Sequence, residues 1–95
     1  MDSLDAPPLL ATLIGQVVVI DFRSTYVCLG TLVGLDTEHL ELHDADLHDF
    51  RDSQTTREVY VHDSLRFGVR RNRARVLVRR DELVAIARFA DISET

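Results

Sequence analysis

The chain contains no lysine: all eleven of its basic side chains are arginines. A planar, permanently charged guanidinium favours bidentate contacts to phosphate or carboxylate, so the positive charge here is of one chemical kind. Cysteine is almost as scarce. The lone Cys28 excludes a disulfide framework, and its place in an apolar run marks a small core residue in preference to a reactive thiol. No apolar run is long enough to cross a bilayer as a helix; the longest uncharged stretch, Ala6 to Ile20, carries Pro7, Pro8, Gly15 and Gln16. No basic residue precedes Arg23, and Asp2 and Asp5 open the chain, the reverse of a secretory signal. The expected location is therefore cytoplasmic, with no membrane partner. Internal repeats and low-complexity tracts are missing as well. Gly30-x-x-x-Gly34 lacks the Lys-Ser/Thr that completes a phosphate loop, and no Ser-His-Asp grouping can be assigned, so neither an enzyme nor a cofactor is expected.

What is present fits one small domain over residues 1–95. Hydrophobic residues make up 45% of the chain, enough to fill a core, yet a domain of this size buries only about 60 to 68% of its unfolded surface, so oligomerisation would help it. Charge is unevenly spread. Residues 1–50 hold nine acids and one base, whereas 51–95 hold seven acids and ten bases. Between Ser64 and Arg80 stand seven arginines and no acid. This asymmetry fits either contact with an anionic partner or pairing with the acidic half of a neighbouring copy, and the net charge of −5 weighs toward pairing.

Periodicity supplies the elements. Asp5-Ala6-Pro7-Pro8 is a helix start, and Leu9, Leu10, Leu13 and Ile14 form an apolar stripe ended by Gly15, giving an N-terminal arm and helix over 1–15. Val17 to Phe22 is β-branched and reads as a strand. Tyr26 to Leu35 reads as a second strand interrupted by Gly30 and Gly34, and glycine inside a strand marks a bulge or a sharp bend. A strand that bends twice is what a small barrel needs to close. Leu40 and Leu42 alternate with Glu41 and His43, which predicts a short third strand, so the first set of strands occupies 16–46. Residues 47–72 read as an insert. His48 to Ser53 is polar loop, followed by a helix capped by Ser53 or Thr55, with Tyr60, Val61, Ser64, Leu65 and Phe67 on one face and Gly68 as its stop. A strand over Glu58 to His62 is the competing assignment. Residues 73–92 close the chain with strands over Arg75–Arg79 and Leu83–Phe89.

Two stretches then resemble the two halves of the Sm-like signature, the bacterial Hfq group included. The first is covered by Leu13, Gly15, Val17 and Val19, then Gly30, Leu32, Asp36, Leu40 and Leu42; the second by Val78, Arg79, Leu83 and Ile86. The chain is similar to a divergent, bacterial member over about 65 residues, the insert excluded. The resemblance implies a mainly β fold, a strongly bent five-stranded antiparallel Sm-like (SH3-like) barrel with a short N-terminal helix, here carrying a helical insert between strands 3 and 4. It also implies a homo-oligomeric ring, hexamer or heptamer, assembled by pairing the fourth strand of one subunit with the fifth of the next. Two apolar terminal strands with unpaired backbone agree with that. The partner implied is single-stranded RNA; no DNA is inferred.

The RNA-binding residues carried over are Asp36, His39, Arg79 and Arg80. Asp36 would brace the loop through backbone hydrogen bonds, and Arg79 matches the family's arginine. His39 falls nearest the slot of a base-binding Asn in a loop one residue shorter than usual, Thr37-Glu38-His39, which offers no aromatic. Arg80 stands where the family has Gly. The alternative is a structural or protein-interaction ring that has lost the RNA pocket and uses the insert as its partner surface. A third chemistry is a divalent metal at His39, His43 and His48 among nearby carboxylates, with His39, Glu41 and His43 sharing one face of a strand. Alternation with leucine makes that simply the wet face, and no metal site is assigned.

Overall fold

The computed structural model describes residues 8–52 and 55–93. Five antiparallel strands form one sheet: β1 (Val17–Phe22), β2 (Tyr26–Leu35), β3 (His39–Asp49), β4 (Arg73–Arg79) and β5 (Leu83–Arg88), in the order β4-β3-β2-β1-β5. The outermost strands, β4 and β5, are joined by a single three-residue 3-10 turn, Arg80–Glu82. Five strands laid flat would hold their outer edges roughly 19 Å apart, whereas such a link reaches under about 15 Å. The sheet therefore rolls up until its two edges nearly meet. This is the bent barrel expected from the glycine pattern.

The bends sit where glycine allows them. The β2–β3 register shifts between Leu29 and Thr31 and again between Leu32 and Gly34, so each shift brackets or abuts a glycine. At Gly30 the reason is close approach: a Cβ there would lie 2.9 Å from the Cβ and 3.0 Å from the Cα of Ala45. Across from it Asp44 adopts φ 51, the left-handed conformation that Asp tolerates better than most residues. The two longest strands thus kink together.

Ile20, Leu32, Leu40 and Leu42 are fully buried in the barrel interior with Val18 and Cys28, and Leu10 and Leu13 pack against them from the N-terminal helix. That helix, Leu9–Leu13, is of 3-10 type, and its sequence start signal at Asp5–Pro7 lies outside the described residues. Burial, reinforced by the Asp46 carboxylate, pushes the Cys28 thiol up to about 12, which fits the inert core residue read from the sequence.

A second apolar layer covers the outside of the sheet. Val19, Val27 and Leu29 pack with Val61 of helix α1 (Arg57–Phe67), and with Phe50, Tyr60, Val69, Phe89 and Ile92. Both faces of β1 are consequently buried over Val18, Val19 and Ile20, the reason its apolar run does not alternate there. Thr56, not Ser53 or Thr55, caps α1 by accepting the Val59 amide, and Gly68 ends it at φ 91. The helix, and not the strand over Glu58–His62, is the form taken. Val61 and Ser64 of its expected inner face are buried, but Phe67 is 81% exposed.

The third strand is longer than its alternation indicates. β3 continues through His48 and Asp49, three residues into the segment read as insert, because the first rungs of β2, Tyr26 and Val27, need backbone partners and find them there.

Candidate nucleic-acid interface

The β2–β3 turn and the end of β4 meet at one rim of the barrel. Asp36 begins the turn and folds it back: its Oδ1 accepts the amides of Glu38 (2.9 Å) and His39 (2.7 Å), while its own amide donates to the His39 carbonyl (3.0 Å). Those two backbone donors hold the Asp36 carboxyl below its ordinary range, so it stays ionised while bracing the loop. This is the role expected of it.

The ladder between β3 and β4 does the rest. His39 and Arg79 are paired residues on its last rung, and the Arg80 amide extends the pairing by donating to the Glu38 carbonyl at 2.8 Å. Positions 36–39 and 79–80, forty residues apart in the chain, thereby become adjacent. Thr37, Glu38, His39, Arg79, Arg80 and Asp81 line a cavity of about 300 Å³. The Arg80 guanidinium donates to the Asp36 carbonyl, and the Arg79 Nη2 lies 2.8 Å from Asp81 Oδ2. Arg80 opens a 3-10 turn and is not among the described residues with positive φ, so the local backbone does not require the glycine that the family pattern has there. Asp81 was not singled out in the sequence, though Arg79-Arg80-Asp81-Glu82 signals such charge pairing. Arg79 thus has an acidic partner within its own chain.

The histidine-rich stretch divides. His43 Nε2 and Arg75 Nε both reach Glu41 Oε2, at 2.7 and 2.6 Å, and this hydrogen bonding, Arg75 foremost, lowers the Glu41 carboxyl. His48 lies elsewhere, stacked on Tyr60 with ring centroids 4.3 Å apart. Among the described residues no three His, Cys, Asp or Glu side chains converge as ligands for a metal.

The strand order, the double bend in β2 and the turn joining the two sheet edges decide the architecture. The fold is Sm-like. It is similar to that of an Sm protein from Pyrococcus abyssii solved in complex with a uridine heptamer, at 18% identity and a TM-score of 0.58, covering 87% of this chain and 99% of that one. An Sm-like protein from Archaeoglobus fulgidus is similar at 15% identity and 0.57, over 87% and 95% of the two chains. A chain of the NatC complex, solved bound to CoA, is similar at 17% identity and 0.52, over 85% and 84%. No protein-family model matches the chain, and no curated protein matches it in sequence. At these identities the likeness establishes the fold, and within this Sm-like barrel the cavity at His39 and Arg79 is formed by the two signature stretches.

Proposed function

We propose that the protein is a non-catalytic, RNA-binding subunit of an Sm-like ring, with the cavity between His39 and Arg79 as its RNA site. The observation that carries this is the His39–Arg79 rung, which delivers an imidazole and two guanidinium groups to one rim around a turn held rigid by Asp36. An imidazole offers a face and two nitrogens to a base, and guanidinium groups suit phosphate oxygens. The fold's likeness to an Sm protein solved with a uridine heptamer supports the same reading. Ring closure would use β4 and β5, the open edges of the sheet, where Leu77 is 50% and Val84 66% exposed. Pairing those edges between copies would satisfy their backbone and cover both side chains.

Short uridine-rich and adenine-rich oligoribonucleotides, titrated by fluorescence anisotropy, test the site. Binding is expected to weaken with rising salt and to fall roughly 5- to 100-fold in His39→Ala or Arg79→Ala. Absence of binding at micromolar protein even at low salt refutes the reading. Solution mass gives the ring, expected to be a hexamer or heptamer, and a monomer would remove that part. The second reading, a ring that holds a protein partner through the insert, has in its favour the exposure of Val59 and Phe67 on α1 and the occupation of Arg79 by Asp81. Replacing the exposed Val59 and Phe67 of α1 by serine should then abolish partner capture and leave the ring intact.

A further inference from the structure

A cavity larger than the one at His39 and Arg79 lies away from the signature stretches. It has a volume of about 550 Å³, within the range of about 300 to 1,000 Å³ usual for small-ligand sites, and lies where the insert meets β3 and the start of β4. Its floor is fixed by a buried polar network. Asp46, 5% exposed, accepts the Tyr60 hydroxyl on one oxygen and the Asn72 amide on the other, the latter at 3.0 Å. Asn72 is itself locked to the Leu47 backbone in both directions, Nδ2 to the carbonyl and Oδ1 from the amide, each at 3.0 Å. The His48 ring stacks on Tyr60 behind it.

The mouth is different in kind. Arg70 and Arg71 lie exposed on it, and among the described residues neither makes a hydrogen bond or ion pair, in contrast to Arg51, Arg75, Arg79 and Arg88, which are all engaged with carboxylates. Phe67, the most exposed aromatic of α1, stands at the same opening, as does the exposed Asp63 carboxylate. Two free guanidinium groups, one bare aromatic face and one free carboxylate are complementary to three parts of a ribonucleotide: phosphate, base and ribose hydroxyl. A polyacidic peptide suits the opening less well, because Asp63 and Asp46 would face its carboxylates.

We infer that this cavity is a ribonucleotide-binding site, with the phosphate on Arg70 and Arg71, the base stacked on Phe67 and Asp63 accepting from the ribose. Its residues lie at the end of β3, on α1 and in the segment between α1 and β4, so it stands independently of the His39–Arg79 site. The ribonucleotide arrives either free or as one residue of an RNA strand.

The full chain is titrated by calorimetry with AMP, GMP, UMP and CMP, and by anisotropy with labelled A6 and U6 oligoribonucleotides; inorganic phosphate serves as the competitor without a base. Saturable binding of at least one nucleotide or oligomer is expected, weakened at least tenfold in the Arg70→Ala/Arg71→Ala variant. Phe67→Ala should weaken it roughly 5- to 100-fold; an Arg79→Ala/Arg80→Ala variant should retain mononucleotide binding in full and, for the oligomers, the part of the binding that depends on Arg70 and Arg71. Binding of mononucleotides identifies a free-nucleotide site, whereas binding of oligomers alone identifies an RNA contact; both support the inference. All three substituted side chains of the cavity mouth are exposed, so the melting temperature of the variants should match the parent and separate binding from folding. If no probe binds, or if binding is lost only with Arg79 and Arg80, or if phosphate alone competes as well as AMP, the inference fails.

Discussion

Strand β3 carries a polar cluster at each end, and the two are built on opposite principles. At its start, His39 faces Arg79 on an exposed rim where every cation is held by a carboxylate or carbonyl close by. At its finish, Asp46 and Asp49 are buried carboxylates, satisfied by Tyr60 and Asn72 in the one case and by Thr25 and Arg51 in the other. A rim of exposed pairs contributes little to stability and leaves its groups free to exchange partners with a ligand. A buried network does the reverse, since any donor removed leaves a desolvated acceptor behind. The first end is thus suited to binding and the second to anchoring the insert.

The sharpest way to break this division is at the kink between the two ends. Gly30→Val would drive a side chain into the Ala45 backbone and is expected to cost about 3 kcal/mol in chemical denaturation. A loss under about 0.5 kcal/mol would mean that the strands do not approach as described. Next, Tyr60→Phe removes one donor from Asp46 and should lower stability by about 1 to 2 kcal/mol, with α1 losing hydrogen-exchange protection before the barrel does.

Acid separates the ends by degree. The Arg51 side chain and amide, with the Thr25 hydroxyl, hold the Asp49 carboxyl far below its ordinary value. A carboxyl whose folded pKa is depressed adds stability in full above the unfolded value of about 3.9, and that stability is lost as the pH falls from there toward the folded value. Melting temperatures followed from pH 6 to pH 2 should therefore drop less steeply in Asp49→Asn than in the parent, and the two curves should converge at the acid end. Asp36→Asn should flatten the curve in the same sense but by less. The smallest effect is expected from Arg79→Ala, about 0 to 0.5 kcal/mol in stability, because its pair with Asp81 is exposed on both sides. A clear destabilisation there would show that the rim anchors the fold as well.

How legible each end was follows from the range of the contacts that make it. Gly30, Gly34 and Asp36 act on their own neighbourhoods, bending β2 or folding a three-residue turn, and such effects can be read from residue type and spacing. The meeting of His39 and Arg79 was legible too, once both were placed on strands, because the β3–β4 ladder sets one against the other. The far end gave no such signal. Asp46, Tyr60 and Asn72 belong to no motif, His48 has the residue type of a metal ligand and is a stacking ring, and the polar side chains at the end of β3 have the pattern of a loop while forming a strand needed by β2.

Apolar alternation, two glycines and a β-branched run were enough to specify five strands and a sheet that bends, since those preferences are local and steric. Whether Val19, Val27 and Leu29 would be bare outer positions of a barrel or a second buried layer was settled only when α1 folded across them. The same holds for the carboxylate of Asp46, whose donors lie fourteen and twenty-six residues away. Burial makes those distant pairings obligatory, because a polar group left unpartnered inside the protein costs about 1 to 3 kcal/mol of lost solvation, and which residues are buried together is decided by the packing of the whole chain.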